Sequence, residues 1–206
     1  MNQFLGVLNL RRGLASTLIL FFALSLGMLT ACGEKKPAFS SIDITGADYG
    51  KNFALIDHNG QMRHLPDFAG KVVVVFFGYT QCPDVCPTTL AELAEVKKLL
   101  GKEGDRLQAL FVTVDPERDT PELLKAYMAN FDPSFLALRP APQELEAVAK
   151  DFKIYYKKVP GTSATSYTMD HSAGSYIFDA KGQLRLFTRY GSGAPVLAAD
   201  IGLLLH

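Results

Sequence analysis

The chain is expected to fold as an α/β domain with a central mixed sheet flanked by helices, on three observations. Val72-Val73-Val74-Val75-Phe76-Phe77 is an unbroken β-branched and aromatic run, which reads as a buried strand. Downstream, helical and strand-like segments alternate as far as Asp151, the pattern of a parallel core. From Ile154 onward strand-like segments dominate, so this half of the sheet is expected to pair differently. The run ends in Gly78-Tyr79-Thr80-Gln81-Cys82-Pro83-Asp84-Val85-Cys86-Pro87, a sharp exit carrying two thiols. The carboxyl end of a strand is where open α/β sheets place their chemistry.

Residues 1–31 have the layout of an export signal: Arg11 and Arg12, an apolar block from Leu14 to Leu29, then small residues at Thr30 and Ala31. Leu29-Thr30-Ala31-Cys32 resembles the lipobox of bacterial lipoproteins, which implies lipid attachment at Cys32. A plain signal peptide or a single membrane span is the simpler alternative, and the block is at the short limit for spanning. Arg11-Arg12 gives little support to twin-arginine export. Residues 32–47 are expected to form a polar tether and 48–206 one domain. The chain from Cys32 has 19 basic and 21 acidic residues, a balance that offers nothing for nucleic acid. With Cys32 acylated, only Cys82 and Cys86 of the three cysteines remain, in an oxidising compartment.

The elements are expected in the following order. Asn52–Asp57 and Gln61–Leu65 flank His58-Asn59-Gly60, whose Asn-Gly signals an amino-terminal edge hairpin. After the central strand, Leu90, Leu93, Val96 and Leu100 recur at helical spacing. That helix has three candidate starts: Pro83, Pro87, or a capping box of Thr89 and Glu92. A strand follows from Leu107 to Val114, then a helix capped by Thr120 with Pro121 at its first position and running to Asn130. A strand at Phe135–Leu138 and a helix from Pro142 to Asp151 complete this half. Strands are then expected at Ile154–Val159, Ser166–Asp170, Ser175–Asp179 and Leu184–Tyr190, and a last helix at Pro195–Leu205.

This order, with a cysteine motif leaving the first core strand, resembles the thioredoxin fold with insertions. The Cys-x-x-x-Cys spacing is one residue longer than the thioredoxin motif. On a helix it brings the two Cα atoms about 6 Å apart on one face, so the pair can close as a disulfide or ligate one ion. A helix amino terminus is expected to lower at least one thiol pKa. Two thiolates leave a metal under-coordinated, so a third donor is needed. His206 and His58 read as surface residues and His64 carries no signal. His171 stands in a small-residue loop that, in a thioredoxin-like chain, lies opposite the cysteines; a lone loop histidine is otherwise most simply solvated.

Three blocks together, Gly78 to Leu90 around Cys82 and Cys86, Val114-Asp115-Pro116-Glu117-Arg118-Asp119-Thr120-Pro121, and Asp170-His171-Ser172, resemble the Sco/SenC family. These are thioredoxin-like copper-binding factors for assembly of the copper site of cytochrome c oxidase. The resemblance implies copper ligation by Cys82, Cys86 and His171, and a partner that is the oxidase copper-site subunit or another periplasmic copper protein. Two thiolates and an imidazole suit Cu(I), while Cu(II) would need rearrangement or added ligands. A structural zinc site would want a fourth ligand. Asp170 is a candidate to orient His171, although a sequence neighbour often faces the opposite way, and Asp115 is a candidate to approach the site, against a helix-cap or turn role.

The resemblance implies a metallochaperone on the periplasmic side of the cell membrane; the lipobox-like ending implies a lipid anchor in place of the transmembrane anchor of many family members, a monomer is expected, and inner and outer membrane both stay open. The competing expectation is a thiol-disulfide oxidoreductase using Cys82 and Cys86 to keep a copper-accepting protein reduced. A peroxidase of the peroxiredoxin type shares only the fold.

Overall fold

A computed structural model describes residues 38–163 and 166–206. The signal at 1–31, the lipid-attachment cysteine Cys32 and the first part of the tether lie outside the described residues.

The apolar run forms β4 (Val72–Gly78), the centre of a six-stranded sheet. On its right in sequence order, β5 (Leu107–Thr113) and β6 (Leu136–Leu138) pair parallel. On its other edge β9 (Ser175–Phe178), β10 (Leu184–Thr188) and the two-residue β1 (Ile42–Asp43) pair antiparallel. The order is therefore β1-β10-β9-β4-β5-β6, a mixed sheet of thioredoxin-like topology. The change of pairing falls at β4: the strands on its parallel side, β5 and β6, come from the alternating part of the sequence, and those on its antiparallel side, β9 and β10, from the strand-rich part after Ile154.

Strand periodicity divides the core into two layers. Val73, Val75 and Phe77 face a layer with Leu110, Val112, Phe152 and Phe178. Val72, Val74 and Phe76 face the opposite layer with Leu90, Leu93, Phe111, Leu124 and Ile201. Three helices cover that second layer: α1 (Val85–Leu99), α2 (Pro121–Met128) and α4 (Ala194–Leu204). The first layer is covered by α3 (Pro142–Asp151), by a 3-10 turn at Leu65–Phe68, and by Met169 from a separate hairpin of β7 (Tyr156–Pro160) and β8 (Tyr167–His171).

Several boundaries differ from expectation. The tether expected over 32–47 is shorter at its carboxyl end, because β1 joins β10 and the backbone amides of Ser40 and Ser41 donate to the buried carboxylate of Asp200 at 2.9 and 2.8 Å. A two-residue strand has no periodicity to read. The amino-terminal hairpin, β2 (Ala54–Ile56) with β3 (Met62–His64), forms as its Asn-Gly implies and lies by the β6 edge, with one bridge between Asp57 and Leu138. His58 is half-buried there rather than on the surface, its Nδ1 accepting from the Ala137 amide at 3.1 Å. Helix α1 begins at Val85, before either Pro87 or the Thr89 box. Thr89 instead turns its hydroxyl back to the Val85 carbonyl at 2.8 Å. The Thr120 cap forms as read: its hydroxyl accepts from the Leu123 amide at 3.2 Å. Among the described residues no helix is long and apolar enough to cross a membrane.

Candidate metal centre

Cys82, Cys86 and His171 meet although 85 residues separate the second and third: one ligand atom from each lies within 4.8 Å of the others. The two sulfurs come from the segment that leaves the central strand β4. Cys86 is the second residue of α1 and is fully buried, whereas Cys82 lies in the preceding loop and is partly accessible. Gly78 makes this approach feasible. A Cβ at that position would stand 2.7 Å from Cys86 Sγ and 2.7 Å from the Phe111 ring, closer than packed atoms tolerate.

His171 is the last residue of β8, not part of the loop expected from sequence. Its ring is set between Phe76 and Tyr79, edge to face at 6.2 and 5.9 Å between centroids. Nδ1 lies 3.0 Å from the Ser172 carbonyl. A carbonyl only accepts, so Nδ1 carries the proton in the neutral ring and Nε2 keeps its lone pair. That Nε2 faces Cys86 Sγ at 3.6 Å. Burial holds the imidazole pKa below its ordinary value, favouring the neutral, ligating form.

Burial pushes the Cys86 thiol up, with further upward contributions from Cys82 and Asp119. The expected lowering by the helix amino terminus therefore does not prevail at Cys86: desolvation outweighs the dipole. A buried thiol resists giving a bare thiolate, but a cation that replaces the proton removes the cost of the unpaired charge.

The donor set fits a soft ion. With bonds of about 2.3 Å to sulfur and about 2.0 Å to nitrogen, as zinc makes, a sulfur and a nitrogen on one three- or four-coordinate ion lie about 3.5–3.7 Å apart. The Cys86–His171 separation of 3.6 Å falls in that range. Among the described residues no fourth His, Cys, Asp or Glu joins the cluster.

The two acidic residues singled out by sequence lie outside this donor group. Strand alternation turns Asp170 outward, and the Ser172 carbonyl holds the imidazole instead. Asp115 is 3 % exposed; it accepts from the Tyr167 hydroxyl at 2.9 Å and pairs with Arg118. It thus braces the hairpin that carries His171.

Sequence reading missed a second acid. Asp119, read as part of a helix start, is fully buried. Its carboxylate accepts from the Thr113 hydroxyl (2.6 Å), the Thr80 hydroxyl (2.6 Å) and the Thr80 amide (3.1 Å). Burial pushes its pKa up in spite of these donors. Asp119 therefore pins the loop two residues before Cys82. In sequence it has the appearance of any acid at a helix start, and only its partner 39 residues away reveals the role.

The comparisons with known proteins agree with this geometry. The SCO1/SenC family model matches residues 43–206. An SCO2-like protein of Rickettsia felis is 36% identical over 159 residues, covering 76% of this chain and 78% of that one. The structure of Bradyrhizobium japonicum ScoI with copper bound is 40% identical, with a TM-score of 0.69, over 76% of this chain and 99% of that chain. Yeast Sco1 with copper bound is 31% identical, with a TM-score of 0.68, over 76% and 88%. With the family model matching residues 43–206 and a relative 36% identical over 76% of its length, the chain belongs to the SCO1/SenC family.

Proposed function

We propose that this chain is a copper-binding assembly factor, held on the periplasmic side of the membrane by a lipid on Cys32, that delivers copper to, or prepares, the copper site of cytochrome c oxidase. Cys82, Cys86 and His171 are the ligands in this reading, and Cu(I) is the cargo. The observation that carries it is the convergence of two sulfurs and the free Nε2 within 4.8 Å. Two relatives of known structure hold copper. Soft thiolates with one imidazole favour Cu(I), and a low coordination number leaves a position for an acceptor's ligand. The buried Cys86 and the ring keep the ion dry, while the accessible Cys82 offers the side from which a partner takes it.

One feature favours a second reading, a thiol-disulfide oxidoreductase. Cys82 is accessible and Cys86 buried, the arrangement of an attacking and a resolving thiol. Cys82 thiolate would attack a substrate disulfide and release one substrate thiol. Cys86 would then displace the second, leaving a Cys82–Cys86 disulfide that an external reductant must reopen.

Titration with Cu(I) separates the two. The reduced protein is expected to take up one equivalent per chain and the oxidised protein none, since a disulfide has no thiolate to give. Failure of the reduced protein to bind copper, together with metal-free turnover of a disulfide substrate, would favour the oxidoreductase.

A further inference from the structure

The sulfurs and the imidazole are carried by different parts of the fold. Cys82 and Cys86 follow β4, at the centre of the main sheet, while His171 ends a two-stranded hairpin that pairs with no strand of it. The three-residue link from His171 to β9, whose Ser175 pairs with Phe76 of β4, brings the histidine to the cysteine end of the sheet, and side chains set the remaining placement of the hairpin. Three polar contacts that tie the hairpin to the domain end on one short segment, Asp115 to Arg118: Tyr167 hydroxyl to Asp115 at 2.9 Å, Lys158 to Glu117 at 2.8 Å, and Arg118 to the Tyr167 carbonyl at 2.9 Å.

Arg118 alone among these also reaches the other half. Its Nη1 donates both to the Tyr167 carbonyl, on the strand that ends at His171, and to Gln81 Oε1 at 3.1 Å, beside Cys82. Its Nε is held by Asp115, and its guanidinium lies 3.5 Å over the Tyr167 ring. Nη2 is buried with no hydrogen-bond partner among the described residues. A planar fork stacked on an aromatic face while bonding along its edge is a geometry lysine does not reproduce.

We propose that Arg118 is a positioning residue that locks the hairpin bearing His171 to the loop bearing Cys82, setting the distance between imidazole and sulfurs before copper arrives. The proposal rests on the copper reading given above, and it assigns Arg118 an action through Gln81 and Tyr167, not on the metal.

The test is a double-mutant cycle on the full-length, reduced protein in detergent, with Cu(I) affinity read by competition against a chromophoric chelator. Arg118→Lys is expected to lower affinity about tenfold and His171→Ala at least about 100-fold, with the double variant no weaker than His171→Ala. Hydrogen exchange on the metal-free protein supplies a second readout: in Arg118→Lys the amides of Tyr167–His171 exchange at least about tenfold faster, while those of β4 and β5 keep their protection. Additive losses in the cycle, or hairpin protection equal to wild type, would overturn the proposal. If β4 and β5 also lose protection, Gln81→Ala decides, since it removes one exposed acceptor only: faster exchange in the hairpin supports the lock and unchanged exchange rejects it. Wild-type affinity in His171→Ala would defeat the three-ligand reading itself, and the exchange data would then decide the lock alone.

Discussion

The two halves of the metal centre are held in different ways. The cysteine half grows out of the core: β4 is buried along its whole length, Cys86 packs into the layer formed by Phe76, Leu90 and Phe111, and Asp119 fixes the intervening loop through Thr80. The histidine half is a hairpin outside the main sheet, placed by Met169, by aromatic contacts to the ring, and by the Asp115–Arg118 segment. Apolar burial fixes Cys86 and a buried carboxylate fixes the loop of Cys82, whereas the hairpin of the imidazole rests on one buried methionine and on polar and stacking contacts. Stability and copper affinity should therefore respond to different substitutions.

The largest effect on stability is expected from Phe111→Ala, which removes a fully buried ring beneath Cys86 and should cost about 3–5 kcal/mol in denaturant unfolding. A smaller loss than 1 kcal/mol would show that the sulfur half does not depend on this core. His171→Ala should invert the pattern. Cu(I) affinity is expected to fall at least about 100-fold, more than loss of a supporting group costs, while Tm moves by less than about 4 °C. A large drop in Tm would erase the contrast between the halves.

Gly78→Ala should act on both properties, because the new methyl meets Cys86 Sγ and the Phe111 ring at 2.7 Å. We expect about 1–3 kcal/mol of destabilisation together with weaker copper binding, read by parallel unfolding and titration. Unaltered copper affinity would mean that Cys86 tolerates displacement. Thr120→Ala should have the smallest effect: loss of the cap bond to Leu123 costs about 1 kcal/mol of stability, and copper affinity stays at the wild-type value. An effect on copper there would show that α2 transmits more than packing.

What was legible in the sequence follows the same division. Local rules gave β4 from its apolar run, the Thr120–Pro121 helix start and the Asn59–Gly60 hairpin, because neighbouring residues determine each of these. Cys82 and Cys86 were legible as a pair for the same reason. His171 could be joined to them only through the thioredoxin-like fold and the family resemblance, since no local signal reaches across the 85 positions from Cys86. Asp119 and Arg118 had no legible role in the site. Their side chains act on Thr80 and Tyr167, 39 and 49 residues away, and a sequence window records only that an acid and a base precede a helix. Strand β1 was hidden because two residues cannot display a period, and its anchor, Asp200, lies at the other end of the chain.

The central claim is that two sulfurs and one imidazole nitrogen share a single copper ion. X-ray absorption at the copper edge of the reduced, Cu(I)-loaded protein tests it most directly. The expected spectrum has two sulfur ligands from Cys82 and Cys86 and one nitrogen, with the nitrogen shell lost in His171→Ala. Sulfur-only coordination in the wild type, or an identical spectrum from the variant, would contradict the account.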